Sequence, residues 1–209
     1  MAKIFEGIYK FKNEDFLKYK HIFANLKNKQ NPHTLFIGCA DSRIIPNLIT
    51  KTLPGELFTV RNIANLVPPY RDTEEYVATT SAVEYAILSL NVENIVVCGH
   101  SNCGGCYSAI HPESVINMPH VKKWIELINP AVEEAKKICK ENDELKIEMI
   151  VEQLNIVNQI KNLLTYPFIK ERYEKGTLNI YGWYYVIESG DIYNYNMSTG
   201  TFELITDKE

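Results

Sequence analysis

Two short apolar runs decide the fold: Thr34-Leu-Phe-Ile-Gly-Cys39 and Asn94-Ile-Val-Val-Cys-Gly99. Neither alternates polar with apolar residues, so each reads as a strand buried on both faces. Asn31-Pro32 breaks the chain before the first. Gly55-Glu-Leu-Phe-Thr-Val60 is a further strand candidate. Between it and the second run, Thr73 to Leu90 carries Tyr76, Val77, Thr80, Val83, Ile87 and Leu90 as one apolar helix face. Strands alternating with helices predict an α/β fold with a mostly parallel central sheet flanked by helices. Working outward, Phe5, Ile8, Tyr9, Phe16, Leu17, Ile22, Phe23 and Leu26 recur at helical spacing, which predicts a helical arm over residues 1–30. Asn13-Glu14-Asp15 reads as a cap dividing that arm into two pieces. Pro119 to about Lys175 is helical in pattern, punctuated by Asn129-Pro130 and Tyr166-Pro167. Asn179 to Ile187 is aromatic and β-branched, Ser189-Gly190-Asp191 turns, and Ile192 to Asn196 returns, a C-terminal hairpin that extends the sheet edge. With no repeat, low-complexity linker or composition shift, residues 1–209 read as a single domain.

Composition narrows the function classes. Apolar residues make up 45% and charged residues 23%, which suits a globular chain and excludes a disordered one. Lys and Arg number 22 against 26 Asp and Glu, a net charge of −4, which argues against nucleic acid or an anionic membrane as partner. The first residues carry charges every few positions and so lack a signal-peptide core, and no run approaches the ~18 apolar residues of a membrane span. A soluble, cytoplasmic protein is expected. There the five cysteines, Cys39, Cys98, Cys103, Cys106 and Cys139, stay reduced and available to metal.

Ligands collect at the carboxyl ends of strands in open α/β sheets. Two strand ends carry unusual residues: Cys39-Ala-Asp-Ser-Arg43 and Cys98-Gly-His-Ser-Asn-Cys-Gly-Gly-Cys106. Adjacent parallel strands bring Cys39, His100 and Cys103 together, two thiolates and an imidazole that suit Zn²⁺. Three protein ligands leave the fourth tetrahedral position to water, the catalytic arrangement. Asp41 and Arg43, alternating on an extended segment, can both face this pocket, with Arg43 holding Asp41 ionised by a bidentate pair.

Each residue also has a plainer reading. Cys98 and Cys139 suit buried hydrophobes, although spacing alone lets Cys98 rival Cys39 as a ligand. Cys103 and Cys106 have the C-x-x-C redox spacing, which predicts a thiol–disulfide oxidoreductase but explains neither His100 nor Asp41 and Arg43. His21, His33, His111 and His120 suit the surface or packing. Gly104-Gly105 permits tight chain passage or anion binding at a helix start.

Cys39-Ala-Asp-Ser-Arg43 and Gly99-His-Ser-Asn-Cys-Gly-Gly105 closely resemble the two signature segments of β-class carbonic anhydrases. The likeness continues through Pro54-Gly-Glu-Leu-Phe58, Arg61-Asn-Ile-Ala-Asn65, Val67-Pro-Pro69 and Ser81-Ala-Val-Glu-Tyr-Ala86, from about residue 30 to 110. The resemblance implies one Zn²⁺ per chain on Cys39, His100 and Cys103, with Asp41 and Arg43 as the catalytic dyad. It implies a substrate pocket of Gln30, Phe58, Ile63, Tyr85 and Gly104, and zinc-bound hydroxide as nucleophile in the reversible hydration of CO₂ to bicarbonate. It further implies homodimers or dimers of dimers, with the 1–30 arm as dimerisation element. Some bacterial members build an inhibitory bicarbonate site from a Trp three residues before the first Cys, an Arg and a Tyr. Here Arg61 and Tyr85 match while Phe36 replaces the Trp, a departure that favours the open-site, plant-like subtype. A relative of the same fold hydrolysing CS₂ or COS is the remaining rival within this resemblance.

Overall fold

A computed structural model of the chain describes residues 2–73, 75, 77–139 and 144–206. The arm is one continuous helical rod: α1 (Lys3–Lys10), a π-helical turn (Phe11–Asp15) and α2 (Phe16–Leu26). The cap expected at Asn13-Glu14-Asp15 does not form. Asp15 keeps helical dihedrals, and Asn13 Nδ2 donates back to the Tyr9 carbonyl at 2.7 Å instead of capping forward. Phe11, Phe16 and Phe23 pack ring on ring across the π turn, at centroid distances of 6.1, 6.4 and 5.4 Å.

After the arm come β1 (Thr34–Cys39), α3 (Pro46–Thr50), β2 (Leu57–Asn62) and α4 (Ala78–Glu84), the last continued by a π turn to Ser89. The expected helix from Thr73 therefore starts five residues late. The Thr73 hydroxyl accepts the Glu75 N–H at 3.1 Å, a local bond that competes with helix, and Val77 is non-helical. Tyr76 lies outside the described residues. Next are β3 (Asn94–His100), α5 (Gly104–Ile110), α6 (Pro119–Ile125), α7 (Asn129–Ile138), α8 (Glu144–Leu163) and α9 (Pro167–Glu174). Within the helical stretch expected from Pro119, residues 140–143 lie outside the described residues. β4 (Asn179–Tyr185), β5 (Ile192–Asn196) and β6 (Thr201–Leu204) close the chain.

The strands form one sheet in the order β2-β1-β3-β4-β5-β6. The first four are parallel and the last two antiparallel. The expected hairpin is β4–β5, and β4 also serves as the fourth parallel strand. Sequence reading missed β6, which follows a turn closed by Asn196 Oδ1 accepting Ser198 N–H at 2.9 Å, with Gly200 at φ 73°. On one face of the sheet Leu35, Ile37, Ile95 and Val97 pack under Val83 and Ile87 and under Ile156, Ile160 and Leu163 of α8. Helix α8 approaches so closely because Gly99 and Gly182 have no Cβ. One added there would lie 2.7 Å and 2.9 Å from Ile156 side-chain atoms. Phe36, Val96 and Cys98 occupy the other face beside Trp183. Among the described residues no helix is long and apolar enough to cross a membrane.

Candidate metal centre

Parallel pairing of β1 with β3 aligns Gly38 with Cys98, so Cys39 and His100 emerge together at the carboxyl ends of the strands. Cys103 follows three residues later as the N-cap of α5. The two sulfurs and a ring nitrogen of His100 all lie within 4.8 Å of one another, and all three residues are buried. Cys98 packs instead with Phe36 and Val96. The grouping of the donor atoms thereby decides between Cys39 and Cys98, which spacing left open.

His100 carries a mark of its own. Its Nδ1 lies 2.9 Å from the Ser101 carbonyl, an atom that only accepts, so Nδ1 bears the proton and Nε2 presents a bare lone pair. That Nε2 is buried with no hydrogen-bond partner. A buried polar atom without a partner is costly, and a cation held with the two sulfurs satisfies it. Two sulfurs and an imidazole nitrogen are a donor set that suits Zn²⁺, with bonds of about 2.0–2.3 Å. Burial and neighbouring thiols keep the sulfurs protonated in the absence of a cation. The Cys103 thiol and burial push Cys39 up to about 12, and Cys106 and burial raise Cys103 well above the ordinary thiol range.

Asp41 sits at the mouth, its Oδ2 3.9 Å from His100 Nε2. Arg43 Nε donates to Asp41 Oδ1 at 2.9 Å and Nη2 to Oδ2 at 2.8 Å, while the Arg43 backbone N–H adds a bond to Oδ1 at 2.9 Å. The pair meets through a turn, closed by Ile44 N–H on the Asp41 carbonyl, and not by the extended alternation expected from sequence. The guanidinium holds the Asp41 carboxyl well below the usual carboxylate range. Arg61 fixes the same segment from below, donating to the Cys39 carbonyl at 3.0 Å and the Asp41 carbonyl at 2.6 Å.

The pocket residues divide. Ile63 directly follows Asn62, the register partner of Cys39, and Gly104 follows Cys103 with open space where a side chain would stand. These two stand next in the chain to residues at the strand ends. Phe58 and Tyr85 stack at 5.9 Å, but Phe58 aligns with Leu35, four residues before Cys39 and so ~13 Å along the strand. Gln30 is exposed in the segment before β1, at that same far end. One chain does not bring these three residues to the metal centre. Nor does it assemble Arg61 with Tyr85. Phe36, in place of the Trp, is buried edge-on to Trp183 at 6.3 Å.

Sequence reading missed the buried carboxylate of Glu152 on α8. Its Oε1 accepts the Cys103 N–H and its Oε2 the Tyr184 O–H, both at 2.8 Å, and burial raises its pKa. The recurrence of Glu152, Asn155 and Gln159 at helical spacing along α8 was the available signal.

A mostly parallel α/β sheet with a buried Cys-His-Cys set and an arginine-clamped aspartate at its strand ends has the donor set and layout of an open-sheet enzyme built around a metal. Comparisons sharpen that. The family model described as carbonic anhydrase matches residues 34–192. A carbonic anhydrase of Helicobacter pylori strain J99 is 44% identical over 205 residues, covering 96% of this chain and 93% of the relative. One from Synechococcus elongatus is 37% identical over 199 residues, covering 92% and 70%. The solved β-carbonic anhydrase CcaA superposes with a TM-score of 0.89 at 34% identity, covering 100% of this chain and 93% of that one. A tetrameric β-carbonic anhydrase of Sordaria macrospora superposes at 0.79 with 30% identity, covering 92% and 94%. The chain belongs to the carbonic anhydrase family, in its β class.

Proposed function

We propose that this protein catalyses CO₂ + H₂O ⇌ HCO₃⁻ + H⁺ with one Zn²⁺ held by Cys39, His100 and Cys103. The observation that carries the reading is the buried triad with a bare His100 Nε2 and the clamped Asp41 3.9 Å away. Zinc, when bound, supplies Lewis acidity that ionises water near neutral pH. Ser101 fixes the tautomer of His100, and Glu152 fixes the backbone of Cys103. Asp41 accepts a hydrogen bond from the attacking oxygen and turns its lone pair towards the carbon of CO₂, a positioning role. Arg43 occupies both oxygens of Asp41, which supports an open fourth position and the open-site subtype. As the oxygen–carbon bond forms, one C=O electron pair moves onto oxygen, and the proton passes to buffer.

A second copy of the chain completes the pocket in this reading. Gln30, Phe58 and Tyr85 stand too far from their own Cys39, and Tyr85 is half exposed. The arm leaves Ile4, Phe5, Ile8 and Tyr9 exposed, and among its described residues none is buried, as in an arm that grips a partner chain. The thiol ligands need a reducing compartment, which supports a cytoplasmic setting. Parallel assays of the zinc-loaded protein with CO₂, COS and CS₂ test the substrate. Hydration of CO₂ far exceeding both sulfur analogues is expected, and the reverse order overturns the reading.

A further inference from the structure

Helix α8 carries a polar stripe, Glu152, Asn155, Gln159 and Asn162, spaced to share one helix face. The first three are buried, where polar groups must find partners. Glu152 serves Cys103. The others serve the loop after β2, which has an uncommon backbone: two successive non-glycine residues, Ala64 at φ 61° and Asn65 at φ 49°, both buried. Such a conformation persists only where its surroundings over-determine it. Here Trp124 Nε1 donates to the Ile63 carbonyl at 3.0 Å, and Asn155 Nδ2 donates to the Ala64 carbonyl at 3.0 Å. Asn62 clasps both backbone groups of Leu66, and Gln159 Oε1 accepts the Val67 N–H at 2.8 Å. Gln159 Nε2 also donates to Asn155 Oδ1 at 2.8 Å, which fixes how the Asn155 amide points.

This turn presses Ile63 onto α5. A Cβ added at Gly105 would lie 2.9 Å from Ile63 Cγ2 and 2.8 Å from Ala64 Cβ. Gly105 is two residues past Cys103, so one helix sets both sides of the mouth. Glu152 grips the ligand side, and Asn155, about one turn further on, grips the wall.

We propose that Asn155 is a positioning residue for the reaction: through the Ala64 carbonyl it holds Ile63 at the separation from Cys103 that seats CO₂. The inference rests on the CO₂ reading above. Its test is stopped-flow CO₂ hydration by zinc-loaded parent, Asn155→Asp, Gly105→Ala and Tyr166→Phe. Asn155→Asp keeps its shape and still accepts from Gln159, but turns a carboxylate oxygen towards the Ala64 carbonyl. A displaced apolar wall weakens ground state and transition state alike, so KM for CO₂ rises about tenfold while kcat stays within about twofold. Gly105→Ala displaces the same wall from the opposite side and raises KM similarly, an arm that survives if Asn155→Asp fails to fold. Tyr166→Phe removes a 2.9 Å bond to the Pro68 carbonyl further along the same loop, so it lowers Tm and leaves KM at the parent value. An unchanged KM in both wall variants, or an equal rise in Tyr166→Phe, overturns the inference while CO₂ hydration stands. A zinc-loaded parent that does not hydrate CO₂ overturns the functional reading first, and this inference with it.

Discussion

Arg43 holds Asp41 by both carboxylate oxygens, at 2.9 and 2.8 Å, and the nitrogen on Oδ2 also reaches the Asn102 carbonyl at 3.1 Å. The acid at the mouth is therefore ionised, oriented, and tied to the loop between His100 and Cys103. Asn102 turns that loop with φ 55°, a left-handed conformation that asparagine tolerates.

Asp41→Asn keeps the three metal ligands but loses the paired clamp, because an amide nitrogen cannot accept from Arg43. Zinc content should stay at the parent value while turnover falls by about a hundredfold, the scale of a misplaced reacting group. Metal analysis beside stopped-flow hydration measures both. Full activity in this variant removes Asp41 from the mechanism.

Glu152→Gln tests the support behind Cys103. The carboxylate accepts from the Cys103 N–H and the Tyr184 O–H, and an amide turns one of those acceptors into a donor. Losing a supporting bond of this kind typically costs about 10–100-fold in metal affinity. Titration against a competing chelator should show a loss in that range with the circular dichroism spectrum retained. Affinity equal to the parent contradicts the assignment.

Zinc uptake should release protons. In the metal-free protein the Cys39 thiol is pushed up to about 12 and Cys103 is raised with it, so both are protonated at pH 8. Binding as thiolates expels about two protons per ion, and affinity falls as pH drops. Calorimetry in buffers of different ionisation enthalpy counts them. Release of none excludes the thiols as ligands.

Much of this was legible in the sequence because the relevant signals are local. The run 34–39 coincides with β1, the run from Asn94 with β3, and the unusual strand-end residues converge in the metal centre. What sequence left open was settled by tertiary packing: Cys98 and Cys39 are equivalent by spacing, yet the donor atoms of Cys39, His100 and Cys103 converge while Cys98 packs with Phe36 and Val96. Helix ends were misplaced where a side chain captured the backbone, as Thr73 does at Glu75 and Asn13 at Tyr9. Glu152 and Asn155 escaped notice because each matters only through a partner 49 or 91 residues away in the chain. Gln30, Phe58 and Tyr85, expected beside the metal ligands, carried no such warning, since nothing local to them shows that Phe58 aligns with Leu35, four residues before Cys39.

The exposed arm makes the oligomer testable. Ile4→Glu with Ile8→Glu places charge in the apolar face that the arm presents, and sedimentation should report a lower mass than the parent. If the proposed completion of the pocket by a second copy holds, hydration should fall with it. An unchanged mass contradicts the role of the arm.

The central claim is that Cys39, and not Cys98, joins His100 and Cys103 around a catalytic zinc. Metal content measured together with stopped-flow CO₂ hydration, on the native protein, Cys39→Ser and Cys98→Ser, tests it most directly. The account predicts about one zinc per chain and fast hydration in the native protein and Cys98→Ser, with both lost in Cys39→Ser. Fast hydration by metal-free native protein, or zinc and activity both retained in Cys39→Ser, would contradict it.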